Sequence, residues 1–313
     1  MKHRLFLLSA LFLPLALRAE PVAPAPAPAV EKPAAKEEEK KEEYIRVQET
    51  DGKATALQTA VVRLTKGKAT VELVGAIHIA DKKYYQALGK RFEGYQALLW
   101  EGIGGSDAAA KQAAAAKEAA AKTGEEEGVA DAGEAKKKEG RLNGLHQAYE
   151  TAAKYLDLAY QMKEIDYSKA NFVHADLSME EFGSLQDQRG ESLFSFMLKA
   201  GLQAEKTNAG KEPNSFKLLA SLIRGDKTGI KRQLVHTLGA GDDQVAALAG
   251  ESVIISDRNA KCLEVLDREV KAGKTKLGIF YGAAHFPDMV KRLTEQGWTL
   301  GGTEWMTAWE LAN

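Results

Sequence analysis

Val74-Gly75-Ala76-Ile77-His78-Ile79-Ala80-Asp81 and Tyr281-Gly282-Ala283-Ala284-His285-Phe286-Pro287-Asp288 place Gly, Ala, His and Asp at matching positions of two distant stretches. Each closes a short apolar run, Thr70–Val74 and Lys276–Tyr281, that reads as a buried strand. After the first, Tyr84, Tyr85, Leu88 and Phe92 recur at helical spacing; after the second, the pattern predicts a helix over Asp288–Gln296. Ala97-Leu98-Leu99-Trp100 and Trp298–Glu304, continuing toward Trp309, are the strands that follow. Strand, helix, strand, twice over, is the signature of parallel βαβ units. In each stretch the glycine permits a tight turn and the histidine sits on the loop. The aspartate falls in the first helical turn, where it serves as a cap favourable to the macrodipole. In an open parallel sheet such loops lie at the carboxyl ends of the strands, where ligands bind.

Working outward, Tyr44–Val47 and Ala60–Leu64 read as strands, and a long helical pattern runs from Leu142 to Met162. Asn171–Asp176 reads as a short strand leading into a capped helix start at Ser178-Met179-Glu180-Glu181. Further helix is expected from Leu193 to Leu238 and from Arg258 to Val270. The predicted fold is α/β, a largely parallel central sheet built from two related βαβ halves, flanked by helices, with a helical middle region. Residues 44–313 are expected to form one such domain, interrupted by an insertion at 104–140 that is almost entirely Ala, Lys, Glu and Gly.

The amino-terminal region indicates the compartment. Lys2, His3 and Arg4 precede an apolar stretch, Leu5–Leu17, and Leu17-Arg18-Ala19 ends it, the pattern of a secretory signal peptide cleaved near Ala19. The stretch is about 13 residues and contains Pro14, whereas a bilayer span needs roughly 20, so no stable membrane span is expected after cleavage. Residues 20–43, rich in Pro and Ala and then in Lys and Glu, read as a disordered linker. These features predict a secreted or periplasmic protein. Lysines and glutamates alternate and the formal net charge is -1, so no basic face is available for phosphates and nucleic acid is excluded as a partner. The single cysteine, Cys262, lies at helical spacing in Ala260-Lys261-Cys262-Leu263 and reads as a buried small apolar residue, not a nucleophile.

Two histidines in matching turns point to a shared site. Glu101 ends the strand Ala97–Trp100, and a short right-handed crossover would set that strand beside the one that ends at His78. Two imidazoles and a carboxylate, His78, His285 and Glu101, form the ligand type of catalytic zinc sites, although the scattered spacing is not diagnostic. Arg258 in Ile255-Ser256-Asp257-Arg258 is read as following an apolar strand and opening a helix, suited to holding a carboxylate or steadying an oxyanion. His174 and Asp176, at the end of a short strand, and Tyr84, in the first helix, are secondary candidates. Asp176 has an alternative reading as a helix cap and Tyr84 as core. His146 and His236 fall within helical patterns and are set aside.

With Gly75-Ala76-Ile77-His78, Trp100-Glu101-Gly102, Asp257-Arg258-Asn259-Ala260-Lys261 and Gly282-Ala283-Ala284-His285 in this order, the chain resembles the TraB/PrgY/TIKI superfamily from about Thr70 to Glu304. The resemblance implies an α/β fold of two related halves, shared distantly with erythromycin esterases and ChaN-like iron- or haem-binding proteins. It places the motif positions at His78, Glu101, Arg258 and His285. It also implies a hydrolase of peptides or small esters, using a divalent metal ion (zinc, manganese or cobalt) as the TIKI members do. Metal-free hydrolysis with histidine as general base, and capture of a metal, haem or peptide signal without turnover, are the alternatives. Unlike the pheromone-shutdown members, this chain has no hydrophobic carboxyl-terminal region.

Overall fold

The computed structural model describes residues 43–105, 147–190, 221, 223–239 and 252–311. They belong to one compact unit, Glu42–Asn313. The strands are β1 (Ile45–Thr50), β2 (Lys53–Lys66), β3 (Ala69–Ala76), β4 (Ile79–Ala80), β5 (Ala97–Trp100), β6 (Ala159–Tyr160), β7 (Phe172–His174), β8 (Lys276–Gly282) and β9 (Thr299–Glu310). The helices are α1 (Lys82–Phe92), α2 (147–155), α3 (Gln161–Glu164), α4 (Met179–Arg189), α5 (Lys227–Gly239), α6 (Arg258–Lys271) and α7 (Phe286–Glu295).

The fold is α/β. In the main sheet β3, β8, β5 and β7 are neighbours in parallel register. β2 pairs antiparallel with β1, β3 and β9, so β2 alone runs against the rest and the sheet is largely parallel in direction. Alternation along the strands feeds two cores. Val62, Leu73, Leu99 and Ile279 pack with Leu263, Leu266, Phe286 and Met289 of α6 and α7, whereas Val61, Val74, Leu98 and Phe280 pack with Tyr85, Leu88 and Ile230 of α1 and α5. With both faces covered, near-continuous apolar strands are what a parallel sheet requires.

The two strand–helix–strand units are interleaved. The first, β3-α1-β5, passes over β8; the second, β8-α7-β9, passes over β3 and β2. They travel in opposite directions on opposite faces, so they share one hand. One expectation needs correcting in consequence: the strand that ends at Glu101 lies beside β8, the second histidine strand, and not beside β3.

Other local readings also shift. The helical pattern over Leu142–Met162 is broken in the described part: α2 ends at residue 155 and Asp157 takes φ 52. Ala159–Tyr160 then forms β6, paired with β4. The residues before Arg258 form a π-helical turn, Val253–Asp257, in place of the expected strand, started by the Ser252 side chain accepting from Ile254 N–H. Neither Asp81 nor Asp288 makes a capping hydrogen bond: Asp81 Oδ2 accepts Glu310 N–H at 2.6 Å, and α7 begins behind His285 with Pro287 in its first turn. Ser178 and Glu181 form the full capping box of α4, and Cys262 is buried in α6. Residues 1–42, the insertion from 106, His146 and most of Leu193–Leu238 lie outside the described residues. Among the described residues no helix is long and apolar enough to cross a membrane.

Candidate functional site

β3 and β8 lie side by side, with Gly75 opposite Tyr281 and Ala76 opposite Gly282. Their chains leave on opposite faces, to α1 and to α7, the arrangement with which open parallel sheets bind ligands at the carboxyl ends of their strands. Glu101, at the end of β5, reaches across to the end of β8. Its Oε2 accepts the Gly282 N–H at 2.7 Å and its Oε1 accepts Arg258 Nη2 at 2.7 Å. Arg258, in the first turn of α6, also donates Nη2 to Asp176 Oδ2 at 2.6 Å and Nε to Asp176 Oδ1 at 2.9 Å. Asp176 is itself held by the backbone N–H groups of Gly102 and Leu177, each at 2.8 Å. Four segments far apart in sequence thus meet in one buried, hydrogen-bonded centre.

Burial alone would raise the Glu101 carboxyl, but the Arg258 charge, assisted by His285, His78 and the Gly282 N–H, brings it down to about 2. Burial acts on His285 in the opposite sense for a base. Reinforced by Arg258 and opposed by Glu101 and Asp176, it lowers the imidazole to about 4. At neutral pH the pair is an ionised carboxylate and an uncharged ring, with His285 Nε2 3.6 Å from Glu101 Oε1. His285 Nδ1 lies 2.6 Å from Asn259 Oδ1, and its ring meets Tyr281 edge-on at 5.2 Å.

The matched turns are not equivalent in space. Gly282 leads straight into a 3-10 turn, Ala283–His285, because Pro287 has a φ fixed for helix and starts α7 at once. Ile77 and His78 are followed instead by β4, whose pairing with β6 keeps the chain extended. His285 is therefore buried at the centre, whereas His78 is exposed and rests on the Tyr149 ring at 4.8 Å. His78 remains near enough for its charge to be felt at Glu101.

Of the secondary candidates, Asp176 is central. His174 stands one layer back: its Nε2 lies 2.6 Å from the Gly102 carbonyl and its ring packs on Trp100, so it holds the loop that carries Glu101. Tyr84 does not reach the site; it is buried, donating to the Gly75 carbonyl at 2.6 Å and meeting Thr59 Oγ1 at 3.0 Å. Gly104 and Gly105, expected to open the insertion, are buried instead beside Met179, Trp100 and His174. Asn259 and Tyr149 went unnoticed in the sequence. An asparagine in a helix's first turn and a tyrosine in a helical run carry no distinguishing signal.

Among the described residues no three His, Cys, Asp or Glu side chains are gathered closely enough to hold a metal ion. Of the expected ligands, Glu101 and His285 meet and His78 stands apart. The pair suits a divalent ion. Two donors of a tetrahedral zinc ion bound at about 2.1 Å lie about 3.4 Å apart, close to the 3.6 Å found here. Glu101 Oε1 keeps a second lone pair beside the one that accepts Arg258. The chain matches no protein-family model, no curated protein and no solved structure.

Proposed function

We propose that the chain is an exported hydrolase of peptide or ester bonds, dependent on a divalent ion such as zinc, manganese or cobalt, with Glu101 and His285 as the fixed ligands and His78 as the third. The observation that carries this reading is His285 Nε2 facing Glu101 Oε1 at 3.6 Å at the carboxyl ends of β8 and β5, where burial favours the uncharged ring and Arg258 favours the ionised carboxyl. Both groups are poor bases at neutral pH, which suits ligands better than general bases. When bound, such an ion polarises a carbonyl and activates water. Glu101 supplies the anionic donor, kept from swinging by Gly282 N–H and Arg258. Arg258 is a positioning residue here: its guanidinium is committed to Asp176 and Glu101, which favours the carboxylate-holding role over the oxyanion role. His78 joins by turning its ring away from Tyr149. The motif order shared with the TraB/PrgY/TIKI superfamily and the amino-terminal leader support the same reading.

The test is elemental analysis of the purified chain beside Glu101→Gln and His285→Ala, with assays on a peptide library and an ester panel before and after chelation. Stoichiometric ion in the wild type, lost in both variants together with activity, is expected. Turnover that persists after chelation would remove the metal and favour His285 as a general base. A retained ligand with no turnover would point to a binding protein.

A further inference from the structure

We propose that Asn259 is a positioning residue that dictates which nitrogen of His285 is free. Asn259 is fully buried at the start of α6. One end of its amide faces two groups, the His285 carbonyl oxygen at 3.2 Å and Asp288 Oδ2 at 2.8 Å. A carbonyl and a carboxylate only accept, so that end is the NH2 group. The other end is therefore the oxygen, and it lies 2.6 Å from His285 Nδ1. An amide oxygen only accepts, so the proton of the neutral ring is on Nδ1 and the lone pair is on Nε2.

The arrangement works against the local alternative. Glu101 Oε1 is an acceptor 3.6 Å from Nε2. Left to itself, the ring would place its proton on Nε2 and donate it to that carboxylate. Asn259 reverses the choice and presents a lone pair to Glu101 where a proton would otherwise lie. A second layer fixes the amide. Asp288 Oδ2 also accepts Arg292 Nε at 2.7 Å, and Arg292 Nη2 donates to Ser256 Oγ at 2.8 Å. Turning Asn259 over would set its oxygen against the Asp288 carboxylate, which costs the hydrogen bond and adds repulsion. The chain Ser256, Arg292, Asp288, Asn259 thus ends in a defined tautomer of His285.

That Nδ1 carries a proton rests on hydrogen-bond geometry, and that Nε2 is then free rests on the buried ring being uncharged; that a free Nε2 serves as a metal ligand rests on the hydrolase reading. The two are separable by two-bond 1H–15N correlation spectra of the full chain, labelled with 15N-histidine and stripped with chelator at neutral pH, with the His285 signals assigned by their loss in His285→Gln. The wild type should show His285 protonated on Nδ1 and unprotonated on Nε2. Protonation on Nε2, or on both nitrogens, overturns the proposal whether or not turnover depends on metal. Asn259→Ala should move the proton to Nε2; a spectrum that keeps it on Nδ1 removes Asn259 from the role. Should that variant lose its near-ultraviolet circular dichroism, the near-isosteric Asn259→Leu, which fills the same space without an acceptor, decides: the proton should again move to Nε2, and a spectrum that keeps it on Nδ1 removes Asn259 from the role. Activity that survives chelation refutes the metal reading and leaves the tautomer standing.

Discussion

Asp176 and Arg258 show how much one buried residue carries. The Asp176 side chain is fully buried and Arg258 donates to it through two nitrogens. Replacing Asp176 with Ala leaves a buried guanidinium with only Glu101 as counter-charge and exposes the Gly102 and Leu177 N–H groups to desolvation. A loss of about 3–5 kcal/mol is expected, read as a lower urea midpoint. The sequence ranked Asp176 second because a cap for the Ser178 helix explained it well enough, and its partner lies 82 positions away. Glu101, Arg258 and His285 were legible because motif order marks them. The parting of His78 from His285 was not: identical Gly-x-x-His spacing gives no hint that Pro287 tightens one turn while β4 extends the other.

At the scale of elements, β8 is the strand on which the site depends, lying between β3 and β5. Gly278 in β8 faces β5 and the turn before it so closely that a Cβ would sit 2.7 Å from Leu98 Cδ1 and 2.7 Å from Tyr95 Cδ2. Tyr95 cannot swing aside easily, since its hydroxyl donates to Glu72 Oε2 at 2.5 Å. Gly278→Ala should therefore cost about 1–3 kcal/mol through overpacking, checked by the thermal or urea midpoint. Elements with both a pattern and a punctuation mark were readable from sequence: α4 with its Ser178–Glu181 box, α6, and the β3 and β8 runs. Those without were not. Val253–Asp257 is a short branched run that strand and helix describe equally well, and its π-helical turn depends on Ser252. Strand order escaped as well, because adjacency in a sheet is decided by which helices cover which face.

For the whole molecule, acid stability is governed in part by Glu72, midway along β3. Burial raises its carboxyl, but the Tyr95 and Arg63 hydrogen bonds, with the charge and hydrogen bond of Arg91, outweigh it and hold it below the ordinary glutamate value. A carboxyl depressed on folding stabilises the protein fully above its unfolded pKa, and the benefit fades as pH falls through the folded one. Wild-type stability should thus fall more steeply below about pH 4 than that of Glu72→Gln, as followed by urea midpoints across an acid series. The sheet that these residues brace also hides the chain's lone cysteine.

Cys262 is fully enclosed between α6 and the sheet, and burial pushes its thiol well above the usual range. A thiol reagent should leave the native chain unlabelled and modify one equivalent in denaturant, so the rate of slow labelling under native conditions becomes a clock for global opening. A cysteine engineered at any exposed position would then be the sole attachment point for a fluorophore or spin probe, and wild type would need no background substitution.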